Sequence, residues 1–211
     1  MKTKIFLIAG FTVLLFTCQP LQAQFKFGVH AAGNLEAQAP WGQLWNNVDL
    51  YQGFLIGGFL EYKTGLKLSL QTELNYQKKG SKITSTIEGN ESTEKREFNY
   101  ITVPLLVKVN FRDETLGDKY DFSFFTGPYL GYLTSANSNL KTGTITTDVD
   151  IAGQAEKKDW GIIFGTGVAY KLANDGAIIG EIRYQMGLNR VDKLDTDLRN
   201  KGIGITIGYR F

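Results

Sequence analysis

The chain of 211 residues carries 23 Lys and Arg against 21 Asp and Glu, with 24 Gly, 14 Phe, 10 Tyr, 4 Pro and 1 Cys. One domain is expected at this length. Abundant aromatics with low net charge exclude disorder, a single cysteine excludes a disulfide framework, and the wealth of Gly and aromatics disfavours a helical bundle.

The first 23 residues read as an address. Lys2 and Lys4 precede an apolar run from Ile5 to Phe16, and a small residue, Ala23, follows. That order is the order of a secretory signal peptide, and the run is too short for a membrane-spanning helix. A lipoprotein reading would place lipid on Cys18, although Phe16 and Thr17 are poor residues before such a cysteine. The expected organisation is therefore a signal peptide over 1–23 and one domain over 24–211. Loss of Lys2 and Lys4 leaves 21 basic against 21 acidic side chains. Nucleic-acid binding then has no electrostatic basis.

Period-two alternation recurs along the rest of the chain, the signature of strands with two unlike faces. It is clearest at Leu68, Leu70, Thr72, Leu74 and Tyr76, at Ile101, Val103, Leu105, Val107, Val109 and Phe111, and at Ile203, Ile205, Ile207, Tyr209 and Phe211. Eight strands are expected, at about 25–33, 50–62, 66–78, 97–111, 119–133, 159–171, 177–188 and 201–211. The connections alternate between short (63–65, 112–118, 172–176) and long (34–49, 79–96, 134–158, 189–200). This is the pattern of an antiparallel up-and-down transmembrane β-barrel of the outer membrane. Pro104 and Pro128 lack a ladder donor, so bulges are expected there.

The polar phase of several strands carries glycine, as at Gly127, Gly131, Gly161, Gly165, Gly204 and Gly208, while the opposite phase is bulky. Small residues suit the crowded interior of a narrow barrel, and a bulky apolar exterior suits lipid. Aromatics cluster near strand ends, at Tyr62, Tyr76, Tyr100, Tyr120, Tyr132, Trp160, Tyr170, Tyr184 and Tyr209, as interfacial girdles would. A water-soluble carrier would invert these faces. The expected location is the outer membrane of a Gram-negative bacterium, with lipid as the wall's neighbour.

The order of several short motifs resembles the PorT-like outer-membrane barrel proteins of Bacteroidetes. These are Gln24-Phe25-Lys26-Phe27-Gly28-Val29-His30-Ala31-Ala32-Gly33-Asn34, Leu68-Ser69-Leu70-Gln71-Thr72-Glu73-Leu74 with Lys79-Gly80, Ile101 to Lys108, Gly127-Pro128-Tyr129-Leu130-Gly131 and Arg183 to Asn189. The resemblance implies an eight-stranded outer-membrane barrel and, through the founding type, an association with protein secretion. Tyr209-Arg210-Phe211 resembles the terminal aromatic signal read by the barrel-assembly machinery, with Phe211 as the signal residue.

Chemistry is sparse. His30 is the single histidine, and by phase it points into the barrel near the outer rim. It has no partner motif: no zinc spacing, no nucleophile elbow, and only Ser69 and Ser123 on the same side. No catalytic residue, metal site or cofactor is expected. His30, Lys67, Glu73, Lys108, Glu181, Arg183 and Arg210 share the polar phase and offer both signs of charge, so a paired lumenal network is expected. An eight-stranded barrel has room for side chains and little else, which favours a filled interior over a pore. The charged, Ser/Thr/Asn-rich segments 79–96 and 134–158 read as surface loops available to a protein partner. A structural or interaction role leads. A small pore, a membrane-embedded lipid-modifying enzyme and a soluble carrier are the alternatives.

Overall fold

The computed structural model describes residues 25–40, 49–64, 67–87, 90–111, 119–193 and 197–211. The signal peptide expected over 1–23 lies outside them. The strands are β1 (Phe25–Ala39), β2 (Tyr51–Lys63), β3 (Leu68–Ile87), β4 (Asn90–Phe111), β5 (Tyr120–Thr142), β6 (Ile145–Asp150), β7 (Lys158–Lys171), β8 (Ala177–Gly187) and β9 (Arg199–Arg210).

Eight of them close a ring in the order β1-β2-β3-β4-β5-β7-β8-β9, antiparallel throughout, and β9 returns to pair with β1. Closure is what lipid demands, since an open edge there would leave backbone groups unsatisfied. β6 stands outside the ring and pairs only with the far end of β5.

Alternation sets the two faces. Leu68, Leu70, Val103, Val107 and Ile205 are all exposed, whereas Glu73, Lys108 and Arg183 are buried. The greasy side chains therefore form the outer wall. On β4 the outward set runs from Ile101 to Phe111, ten residue steps that give ~25 Å of height at a usual strand tilt, the height of a lipid-facing band. Aromatics gather at the lower rim: Phe25 lies 4.9 Å from Tyr62, Phe27 stacks on Phe211 at 5.0 Å, and Tyr120 meets Tyr170 at 5.2 Å. Phe54 and Tyr76 meet at 6.0 Å at the upper rim. Tyr100 departs from the expected girdle, because its phase turns it inward and buries it.

Glycines on the inward phase make room for large side chains. A Cβ on Gly165 would lie 2.3 Å from the Phe125 ring, and one on Gly28 would lie 2.3 Å from the Phe59 ring. These contacts let rings lie flat against the opposing backbone and fill the interior.

Two expectations about the strands need correction. The prolines cause no bulge: pairing keeps one register on both sides of Pro104 and Pro128. They are diagonal neighbours on β4 and β5, so the missing donors cost a local gap in the ladder and no extra residue. The irregularity falls instead between Asn99 and Tyr100, where the wall gives way to a projection.

That projection is the second correction. The segments 79–96 and 134–158 were expected as loops. In fact β3 and β4 continue to Ile87 and Asn90, β5 continues to Thr142, and β6 is added beyond it. β4 alone extends ~35 Å along the strand above the lipid-facing band. Ser and Thr pair across these strands, as at Thr84 with Thr93 and Ser92 with Thr142. Cross-strand pairs of this kind hold a ladder together where no continuous apolar face reveals it.

Candidate functional site: a filled lumen beneath a projecting sheet

The lumen is filled in tiers. At the lower end Arg210 Nη1 donates to Glu61 Oε2 at 3.0 Å, and Ser69 Oγ donates to the other Glu61 oxygen at 2.8 Å. In the middle, Lys108 Nζ donates to Glu181 at 2.9 Å and to Gln71 Oε1 at 3.1 Å. Arg183 grips Glu73 with two nitrogens at 2.8 and 2.9 Å and reaches Glu181 with Nε at 2.8 Å. Gln71 and Asn75 also donate to Glu73, at 2.6 and 2.9 Å. Above this, Lys79 Nζ donates to Asp159 Oδ2 at 2.7 Å and lies 4.6 Å from the centre of the Tyr129 ring. Each of these charges meets an opposite charge within hydrogen-bond distance, the first condition for tolerable burial.

His30, Glu73, Lys108, Glu181, Arg183 and Arg210 are all buried in this interior. Lys67 is not: it is exposed, in the turn that precedes β3 at Leu68. The strand expected from residue 66 begins two residues later, at Leu68, which leaves Lys67 below the lumen. His30 is also lower than expected. Its Nε2–H donates to Asn75 Oδ1 at 2.7 Å, and it lies 3.8 Å from Glu73, at the level of the central tier and not at the outer rim. β1 runs on to Ala39, which moves the rim upward. Gln71, Asn75 and Lys79 share the polar phase of Glu73, but they fall outside the lumenal set expected from the sequence, as do Glu61, Tyr129 and Asp159. Lys79 and Asp159 were assigned to a loop and to a strand start, although both take the inward phase once the strands are extended.

The space left is small. The cavity among Ala32, Asn75, Gln77, Thr102, Arg183 and Thr206 measures about 20 Å³, room for about one water. Rings of Phe59, Phe125 and Tyr129 with Leu106 and Ile163 occupy the rest. Catalytic geometry is lacking around the two serines. Ser69 is committed to Glu61 and lies six residues along β3 from the partner of His30, ~20 Å away. Ser123 sits opposite Gly167 on β7. Among the described residues no group of three or more His, Cys, Asp or Glu is placed to hold a metal.

The mouth is different. Register places Ile83, Glu94, Leu140 and Thr147 in one row on the inner face of the projection, with Ser85, Ser92, Thr142 and Ile145 above it. Beneath lies an apolar cluster of Phe98, Tyr100, Leu133, Ala136, Ala155 and Val191. The outer face is polar: Lys78 pairs with Glu97 at 2.7 Å, and Lys82 lies 3.8 Å from Asp49. A cavity of about 270 Å³ opens on the inner side beside Phe98, Val149 and Ile151.

Two carboxylates above the lipid band are poised for acid. Partial burial acts to raise the Glu94 pKa, but hydrogen bonds from Arg96 and Ser138 outweigh it and hold the group below its usual 4.5. Glu97 behaves the same way, with burial opposed by Lys78 and Tyr51. A group depressed in the folded state stabilises it above the unfolded pKa, and that contribution is lost as pH falls through the folded value. Hydrogen exchange corrected for intrinsic rate is expected to show 91–98 and 135–141 losing protection below about pH 4.5, while 101–109 stays protected.

A closed antiparallel ring with an apolar wall and a filled polar lumen defines the class, an eight-stranded outer-membrane β-barrel. Residues 17–193 match the family described as outer membrane protein beta-barrel domain, and the chain belongs to that family. It resides in the outer membrane. Among solved structures it is similar to Neisserial surface protein A, with 13% identity over 88% of this chain and 95% of that one and a TM-score of 0.50. It is also similar to Ail, the attachment invasion locus protein of Yersinia pestis (12% identity, 89% and 98% covered, TM-score 0.42). A third similarity is to OprG from Pseudomonas aeruginosa (11% identity, 89% and 95% covered, TM-score 0.44). No curated protein matches.

Proposed function

We propose that this barrel is a membrane anchor that presents its β3–β6 projection to a protein partner at the cell surface. The observation that carries this reading is the inner face of the projection. Ile83, Leu140, Ile145 and Val149 are exposed there, Ile145 at 70%, above the lipid band and above a lumen that is already full. Apolar side chains that neither face lipid nor fill a core are characteristic of interaction surfaces. The rigid wall fixes the direction in which the sheet points.

The filled interior supports an anchor over a pore, and His30, committed to Asn75, supports a structural role over a catalytic one. The PorT-like resemblance supports a finer assignment to that group, with a Bacteroidetes source and a partner within a protein-secretion apparatus, and the basic, apolar and small residues of 1–23 in that order support a cleaved signal peptide. Phe211, exposed on the lipid-facing phase and stacked on Phe27, supports its reading as the residue recognised by the assembly machinery.

A photo-crosslinking amino acid at Leu140 or Ile145, in cells that express the full chain, tests the main reading. Protein adducts are expected at these positions and only lipid adducts at Ile205. Adducts at Ile205 alone would end the interaction reading. Conductance of the folded protein in planar bilayers would return the pore.

A further inference from the structure

The outer wall ends upward at Trp160, and just above it a groove of about 440 Å³ opens between the start of β7 and the connection that follows β8. Lys158 and Trp160 are two residues apart on one strand, so they leave the same face. Arg190 and Lys193 approach from the other side of the groove. Three cations thus stand over an indole at the upper edge of the lipid band.

The groove is held by its own backbone. Trp160 N–H donates to Asn189 Oδ1 at 2.8 Å, and Asn189 Nδ2 donates to the Lys158 carbonyl at 2.6 Å and to the Arg190 carbonyl at 2.9 Å. Leu188 N–H closes the same corner on the Trp160 carbonyl at 2.8 Å. Asn189 therefore acts as a strut that fixes both walls. Lys193, whose Nζ donates to the Gly153 carbonyl at 3.0 Å, lines the groove on the same side as Arg190. Two acids, Glu156 and Asp192, also line it.

We propose that this groove holds the phosphorylated sugar headgroup of an outer-leaflet glycolipid. The position selects a lipid, because a tryptophan at the edge of the band sits at headgroup depth. Cations at that depth attract anionic headgroups. The acids have a place in the same ligand: sugar hydroxyls donate to carboxylates, whereas phosphate oxygens take the cations. A simple inorganic anion would meet Glu156 and Asp192 as repulsion.

The test uses the full folded chain in nanodiscs of phosphatidylcholine containing lipid A, dephosphorylated lipid A or neither, with retained lipid counted by native mass spectrometry. One lipid A is expected to stay bound through detergent exchange. Dephosphorylated lipid A and phosphatidylcholine should leave, and inorganic phosphate should not displace the bound lipid. The triple variant Lys158→Ala, Arg190→Ala, Lys193→Ala should retain lipid A about a hundredfold more weakly, the summed effect of three charges beside an anionic headgroup. A charge-matched variant, Lys82→Ala, Lys95→Ala, Lys141→Ala, on the outer face of the projection should retain it as the parent does. Equal loss from both triple variants, equal retention of dephosphorylated lipid A, or displacement by inorganic phosphate would overturn the proposal.

Discussion

Arg183→Ala is expected to be the most damaging single change in the lumen. The guanidinium holds Glu73 with two hydrogen bonds and Glu181 with Nε, all in an interior where the side chains are nearly inaccessible. Its removal leaves Glu73 buried with neutral donors and His30 as its remaining partners, while Glu181 keeps Lys108. Breaking a buried pair from one side costs about 3–5 kcal/mol, because the remaining charge is uncompensated. Urea titration of the folded protein in micelles, read by the gel shift between folded and heat-unfolded barrel, should show that loss. The double variant Glu73→Gln, Arg183→Met removes both charges and should be less damaged than the single one. A single variant as stable as the parent would mean that the tier is wet and that its charges are screened.

The second large effect is expected on the outer wall. Ile207 is 66% exposed, opposite Ala31 on β1 and Gly180 on β8, midway along the lipid-facing stretch of β9. Arginine at the middle of the lipid band costs about 2–4 kcal/mol. Ile207→Arg should therefore lower stability in bilayers by about that amount. The same residue placed at Thr146, exposed on the outer face of β6 above the band, should change stability by no more than about 0.5 kcal/mol, as expected of an exposed site in water. Were this face of β9 bathed in water, the two substitutions would be equally harmless.

The wall was legible because lipid and lumen impose opposite demands on alternate residues. Leu68 to Tyr76, Ile101 to Phe111 and Ile203 to Phe211 show that contrast without help from neighbouring strands, and phase alone put Glu73, Lys108, Glu181, Arg183 and Arg210 inside. Where the contrast fades the reading failed. In 79–96 and 134–150 the few apolar residues, Ile83, Leu140, Ile145 and Val149, are scattered among Ser, Thr, Asn and charges, so no run of alternation marks the strands, β6 included. The Lys79–Asp159 pair was hidden for the same reason, since neither residue was given the correct strand bounds. Lys67 was misplaced by one residue at a strand start, and His30 by the unrecognised extension of β1. Cross-strand partners such as Gln71 with Lys108 depend on register around the ring, which no local pattern reports.

Apolar groups face outward in this barrel and polar ones inward. Single spin labels at Leu68, Leu70, Val103, Val107 and Ile205, with Glu73 and Lys108 for contrast, test it in bilayers by power saturation. Labels at the first five sites are expected to relax far more with dissolved oxygen than with a water-soluble nickel chelate, and labels at the last two to be shielded from both. Labels shielded at Leu68, Val103 and Ile205 but open to nickel at Lys108 would contradict it.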